Sequence, residues 1–230
     1  MTYVTSLPKG KSLACVANYS IGEEIANAIT HGVAALLSIA GLAVLVGFAV
    51  AFSGSPRVIV GVSIFGASMI FLYTASTLYH AIPNKRAKKV LQVLDHSMIY
   101  VLIAGSYTPF CLITLNGVTG WILLGAVWSI AIAGVSLQHV LMRSSDWINC
   151  LLYLAMGWLA LFVIEPLTNQ LDATGLWLLV GGGFAYSLGV IFYIWERLPY
   201  SHAIWHVFVF TGTALQFFSI LLYVIPGVIA

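Results

Sequence analysis

Long apolar runs alternate with short polar breaks along this chain, and the runs have the length that a bilayer demands. A spanning α-helix needs about 20 predominantly apolar residues. Seven such runs are read, at roughly 26–51, 57–80, 92–114, 119–140, 147–165, 175–196 and 202–228. Each break has a local cause. Ser53-Gly54-Ser55-Pro56 is a turn cluster, Asn116-Gly117 is a turn dipeptide, and Pro83 through Lys89 is a basic loop. Arg143-Ser144-Ser145-Asp146 is polar, as is the stretch from Pro166 to Thr174. Arg197-Leu198-Pro199-Tyr200-Ser201 closes the sixth run, with Ser201 placed to cap the next helix. The pattern predicts an all-α membrane protein, a bundle of seven transmembrane helices. A short tail over 1–22 precedes one membrane domain over 23–230, without internal repeats.

Composition supports this and excludes a soluble reading. Charged residues make up 7% of the 230 and hydrophobic residues 61%. An ordinary soluble domain carries about 25% charged residues, so this chain has too few to cover a water-facing surface. The first 25 residues hold Lys9 and Lys11 but no apolar core before the first run, so no cleavable signal peptide is expected. No basic nucleic-acid patch and no phosphate loop is present. Gly181-Gly182-Gly183 lies inside an apolar run and reads as a point of close helix approach. Pro109 should kink the third helix. Cys15, Cys111 and Cys150 form no C-x-x-C pair and read as lone thiols packed among helices. Trp121, Trp147 and Trp177 fall near span ends, where interface anchors belong.

Charge distribution sets the orientation. Lys9, Lys11, Lys85, Arg86, Lys88, Lys89, Arg143 and Arg197 fall on one side, and only Arg57 on the other. Lys and Arg are enriched on the cytoplasmic side of membrane proteins. The N-terminus is therefore expected in the cytoplasm and the C-terminus outside.

Four polar clusters interrupt the apolar runs: Glu24-Asn27-His31, Ser76-His80, Asp95-His96 and His202-His206. With the topology above, all four emerge at the same face. Ionisable groups at membrane depth usually mark a function. His202 and His206 are four apart, which puts both imidazoles on one face of a helix. Alone, such a pair arises by chance, and a single His at this depth is an ordinary interfacial residue. Together with His80 and Asp95 at the same depth, the pair points to a metal site. Imidazoles with a carboxylate and no thiolate suit Zn²⁺, and three neutral ligands leave a fourth position open for chemistry.

The neighbours carry alternatives. Ser76 is either a helix-packing serine or a hydroxyl aimed at the metal's water or a substrate oxygen. Asp95 is either a ligand or the base that holds the water. His96 projects about 100° away around its helix and is less suited to the same ion. Glu24, Asn27 and His31 form an i, i+3, i+7 stripe. They serve either as a helix start with polar packing or as groups that orient a metal-bound imidazole. His31 is an alternative ligand should His80 point elsewhere. His139 has no matching partner and reads as an interface residue.

Four motifs together resemble a known family: E-x-x-N-x-x-x-H (Glu24, Asn27, His31), S-x-x-x-H (Ser76, His80), Asp95 in Leu94-Asp95-His96, and H-x-x-x-H (His202, His206). With the stretches Ser76 to Pro83 and Ala104 to Phe110, they resemble the bacterial hemolysin III proteins, a branch of the progestin and adipoQ receptor family. The resemblance runs over roughly residues 20–228. It implies seven transmembrane helices with a cytoplasmic N-terminus, in a bacterial inner membrane. It implies zinc held by His80, His202 and His206, with Asp95 holding the metal's water and Ser76 as the motif serine. Related members are linked to hydrolysis of ceramide amides. The expected activity is zinc-dependent hydrolysis of a lipid amide or ester, with a membrane lipid or fatty acyl chain as the partner. The alternative is a non-enzymatic sensor or regulator of the membrane state with a structural zinc. A lytic pore fits less well, because no polar lining is visible. A transporter would need polar groups at midplane as well, whereas Glu24 and Asp95, the two carboxylates near the helical core, both lie on one side.

Overall fold

The computed structural model describes residues 19–141, 146–195 and 197–228. Lys9, Lys11, Cys15, Arg143 and most of the expected tail lie outside the described residues. All secondary-structure elements found among them are helical: α1 (Ile21–Phe52), α2 (Pro56–Ala81), α3 (Lys85–Pro109), α4 (Val118–Leu141), α5 (Asp146–Gly157), α6 (Ile164–Gln170), α7 (Ala173–Ile194) and α8 (Ser201–Ser219). A π-helical turn, Phe110–Thr114, extends α3, and a second, Ile220–Val224, extends α8. A 3₁₀ segment, Trp158–Val163, joins α5 to α6. Counted with these extensions, seven helices are long and apolar enough to cross a membrane.

The seven runs are where the sequence places them, but several ends move. The first helix begins at Ile21, not 26. Ser20 caps it, accepting from the Glu23 N–H at 3.3 Å, while Glu23 Oε2 accepts from the Ser20 N–H at 2.9 Å. The third helix begins at Lys85, not 92. Asn84 Oδ1 accepts from the backbone N–H groups of Arg86 and Ala87, so the expected basic loop is the first turn of a helix. Hydropathy cannot see a polar helical turn that projects beyond the bilayer; a cap can create one. Ser201 is not a cap: α8 starts after Tyr200, whose backbone is left-handed at φ 58°. The Tyr200 N–H donates to Glu23 Oε1 at 3.1 Å, which ties the start of α8 to the start of α1. Pro166 does not end the fifth span. It lies in the first turn of α6, where a missing N–H does no harm.

The break in the fifth span is held from a neighbouring helix. Tyr107 on α3 donates its hydroxyl to the Gly157 carbonyl at 2.5 Å and accepts from the Ala160 N–H at 2.9 Å. The phenol thus satisfies backbone groups that the 3₁₀ turn leaves open, as an interrupted helix within a membrane requires. Tyr107→Phe is expected to destabilise the fold by about 1–3 kcal/mol, since buried backbone groups lose their partner. Thermal unfolding in detergent measures it. An unchanged midpoint would mean that the break holds itself.

Elsewhere the helices pack as small residues permit. A Cβ on Gly182 would meet the Gly212 carbonyl at 2.9 Å, and one on Gly212 would meet the Gly182 carbonyl at 3.0 Å, so α7 and α8 touch through their backbones. Phe65, Leu72 and Tyr73 of α2 and Ile220 beyond α8 belong to one buried core. Trp121, Trp147 and Trp177 are exposed near span ends, and His139 is exposed. Cys111 and Cys150 are buried. At the end opposite the histidines, Arg57 hydrogen-bonds Asn116 and links α2 to the turn before α4.

Candidate metal centre

Three imidazoles converge where α2 ends and α8 begins. His80, His202 and His206 each offer a nitrogen, and these atoms lie within 4.8 Å of one another. All three side chains are buried. His80 reaches the site from the last turn of α2, and the four-residue spacing on α8 supplies the other two. Ligands arranged tetrahedrally at zinc–nitrogen distances of 2.0–2.1 Å stand roughly 3.4 Å apart, so closing this set around an ion needs at most about 1.5 Å of movement.

Hydrogen bonds decide which nitrogens are on offer. His80 Nδ1 lies 2.8 Å from Glu24 Oε2 and donates to it. This leaves the Nε2 lone pair of His80 buried and without a partner among the described residues. His206 Nδ1 lies 3.2 Å from the Asn27 carbonyl and 3.1 Å from Thr30 Oγ1. Its proton is thereby held on the α1 side, which frees Nε2. A carboxylate or carbonyl on one imidazole nitrogen is the arrangement that fixes a metal-ligating histidine. The donor set therefore fits a divalent ion that favours nitrogen.

The Glu24 stripe of α1 does this orienting. Glu24 is not the helix cap, a task that falls to Ser20 and Glu23. Its second oxygen, Oε1, accepts from Lys88 Nζ at 2.6 Å, and Lys88 Nζ also donates to the Tyr79 carbonyl at 2.9 Å. Lys88 is only 7% exposed and lies over the Tyr79 ring at 4.9 Å. Sequence reasoning counted it as a surface charge in a basic loop and missed this role; no local signal pairs it with a glutamate 64 positions away. The Asn27 amide lies 3.4 Å from His80 Nδ1. Glu24→Gln is expected to weaken metal binding about 10- to 100-fold, the range for partners that orient a ligand. Titration against a competing chelator reads this, and unaltered affinity would remove Glu24 from the site.

His31 is not needed as a substitute ligand, because His80 turns inward. Its ring lies flat on His206, with centroids 3.5 Å apart and planes within 10°, and edge-on to Tyr73. Both of its nitrogens are buried and without a hydrogen-bond partner among the described residues. His96 stands aside, as its position around the helix predicts: Nδ1 donates to the Gln92 carbonyl at 2.9 Å and Nε2 is 3.4 Å from the Tyr193 hydroxyl.

Asp95 and Ser76 face the histidines across a cavity. Both line it with His31, His202 and His206, and the remaining wall is largely apolar. Asp95 and Ser76 are themselves within interaction range of each other. The cavity continues away from the histidines past Tyr107, Trp158 and Gly183 to Gln216, and a second apolar space begins from the same residues. One expectation needs correction here. Thr213 lies roughly 16 Å along α8 from His202, and its Oγ accepts from Tyr73 at 2.7 Å and meets the Tyr186 hydroxyl at 2.7 Å. Polar groups do occupy mid-bundle depth, but they are uncharged and bonded to one another. Sequence reading passed over them because a lone hydroxyl in an apolar run carries no pattern.

Comparison with known proteins gives a consistent picture. Residues 19–217 match the family profile described as Haemolysin-III related. The chain is 47% identical over 206 residues to Hemolysin-3 of Bacillus cereus, spanning 90% of this chain and 94% of that protein. It is 48% identical over 205 residues to the Hemolysin-3 homolog of Bacillus subtilis (strain 168), spanning 89% and 96%. A more distant similarity, 28% over 163 residues, links it to the human Monocyte to macrophage differentiation factor, spanning 68% and 67%.

Proposed function

This chain belongs to the haemolysin III family, and from that premise we propose that it is a zinc-dependent hydrolase of an acyl-lipid amide or ester. It acts in a bacterial inner membrane, with the N-terminus and the histidine end of the bundle toward the cytoplasm. The observation that carries the reading is the buried Nε2 of His80, unpaired among the described residues and converging with two α8 imidazoles beside a cavity that also presents a carboxylate and a hydroxyl.

Zinc held by His80, His202 and His206 would supply Lewis acidity toward a water or a carbonyl oxygen. Asp95 is the general base: it takes a proton from the attacking water as the water oxygen bonds to the acyl carbon, and returns it to the departing amine or alcohol. Ser76 donates its hydroxyl to the acyl oxygen as negative charge develops there. The apolar wall receives the acyl chain, and Glu24 and Thr30 keep the imidazole protons away from the cavity. Release of free fatty acid by purified, zinc-loaded protein from a panel of N-acyl and O-acyl lipids tests this reading. A fully metallated protein that releases none from any of them would refute it.

One observation favours a second reading. The imidazoles come from α2 and α8, and their partners from α1 and α3, so an ion there would also staple four helix ends. In that case the protein senses or regulates the membrane state and the zinc is structural.

A further inference from the structure

A second buried polar cluster lies between α3, α4 and α5, and the histidine site does not use it. On α3, Gln92, His96 and Tyr100 recur every four residues and form one stripe. On α5, Asn149 and Tyr153 have the same spacing. On α4, Gln138 lies one turn from Gly134, and the absence of a Cβ at Gly134 lets the Tyr100 ring lie against the helix. Gln138 is 0% exposed, Tyr100 2% and Asn149 3%. Among the described residues, both amide atoms of Gln138, Asn149 Oδ1, Gln92 Oε1 and the Tyr100 hydroxyl have no hydrogen-bond partner.

Unpaired polar atoms inside a membrane bundle are among the costliest features a fold can carry. The chemistry of the cluster identifies what pairs with them. It offers amide N–H donors beside several neutral acceptors, and its own five side chains include no carboxylate or lysine to hold an ion. Water, which takes two to four polar partners, fits. Tyr153 links this cluster to the cavity. Its ring meets Tyr100 edge-on at 4.7 Å, its hydroxyl donates to the His96 carbonyl at 3.2 Å, and it lies beside both Gln138 and Asp95. Tyr153 and Asp95 line the same cavity.

We propose that Gln92, Tyr100, Gln138, Asn149 and Tyr153 enclose a hydrated chamber that supplies water to Asp95 past Tyr153. The supply role rests on the hydrolase reading; the hydration does not. Hydroxyl-radical footprinting of the full chain in lipid nanodiscs separates the two. Tyr153 is only partly buried and lines the cavity, so Tyr100 is the readout: it is expected to label about fivefold or more above Tyr73, which is equally buried but hydrogen-bonded to Thr213, because bound water is the local radical source. In the Gln138→Leu/Asn149→Leu variant that labelling falls to the Tyr73 level, while the unfolding midpoint holds or rises. Turnover falls with KM unchanged. Tyr153→Phe, which keeps the ring, leaves Tyr100 labelled and lowers turnover; it serves if the double variant does not fold. Labelling of wild-type Tyr100 no stronger than that of Tyr73 overturns the chamber. A dehydrated variant with full turnover overturns the supply. Should zinc-loaded wild type hydrolyse no lipid, the hydrolase reading falls and the labelling still decides whether the chamber is wet.

Discussion

Replacing His206 with alanine is expected to strip the protein of its metal. Among the described residues, His206 is one of three nitrogen donors that converge, and its Nδ1 proton is already committed to the Asn27 carbonyl and Thr30. Two remaining imidazoles cannot hold the ion against buffer. Loss of a partner that merely orients a ligand weakens binding about 10- to 100-fold, so loss of the ligand itself should exceed that. Metal content after dialysis against buffered zinc measures the effect. His31→Ala is the control. It removes the ring stacked on His206, at some expense in packing, but no converging donor. The two variants should therefore part: His206→Ala loses metal, and His31→Ala keeps it. If His206→Ala retains a full complement, the centre assigned here is wrong.

The second large effect is expected at Asp95. Asn preserves the shape of the side chain and removes its ability to take a proton. Asp95 is not among the converging ligands, so Asp95→Asn should keep its metal and its fold. Turnover of a responsive lipid should fall by about 10²–10⁴, the range for loss of a general base. The same variant divides the two functional readings. A hydrolase loses turnover with metal retained, whereas a structural staple leaves the function of the protein unaltered.

Much of this site was legible before any coordinates. The four-residue spacing of His202 and His206 fixes a shared helical face whatever the fold, and seven apolar runs put His80 and Asp95 at the same end of the bundle. The orienting role of Glu24 was one of two readings, and only distance decides it: 2.8 Å to His80 Nδ1. Lys88 could not be found at all, because a lysine among four basic residues within a short stretch looks like a headgroup contact until its ammonium is seen on Glu24 and the Tyr79 carbonyl. Helix ends were misplaced wherever a cap outruns the bilayer, as at Asn84, and wherever a neighbour supports a break, as Tyr107 does at Gly157.

By itself, then, the sequence determined the class of the protein and the depth of its chemistry. Apolar length sets the number of crossings, and helical period sets which side chains share a face; both are local properties of the chain. Which nitrogen of His80 and of His206 points inward, which carboxylate orients a ligand and which stands across the cavity, and that Gln138 is buried without a partner among the described residues were decided only by tertiary structure. Those outcomes depend on contacts of a few ångströms between helices that are far apart in the chain, and no periodicity along one strand of sequence encodes them.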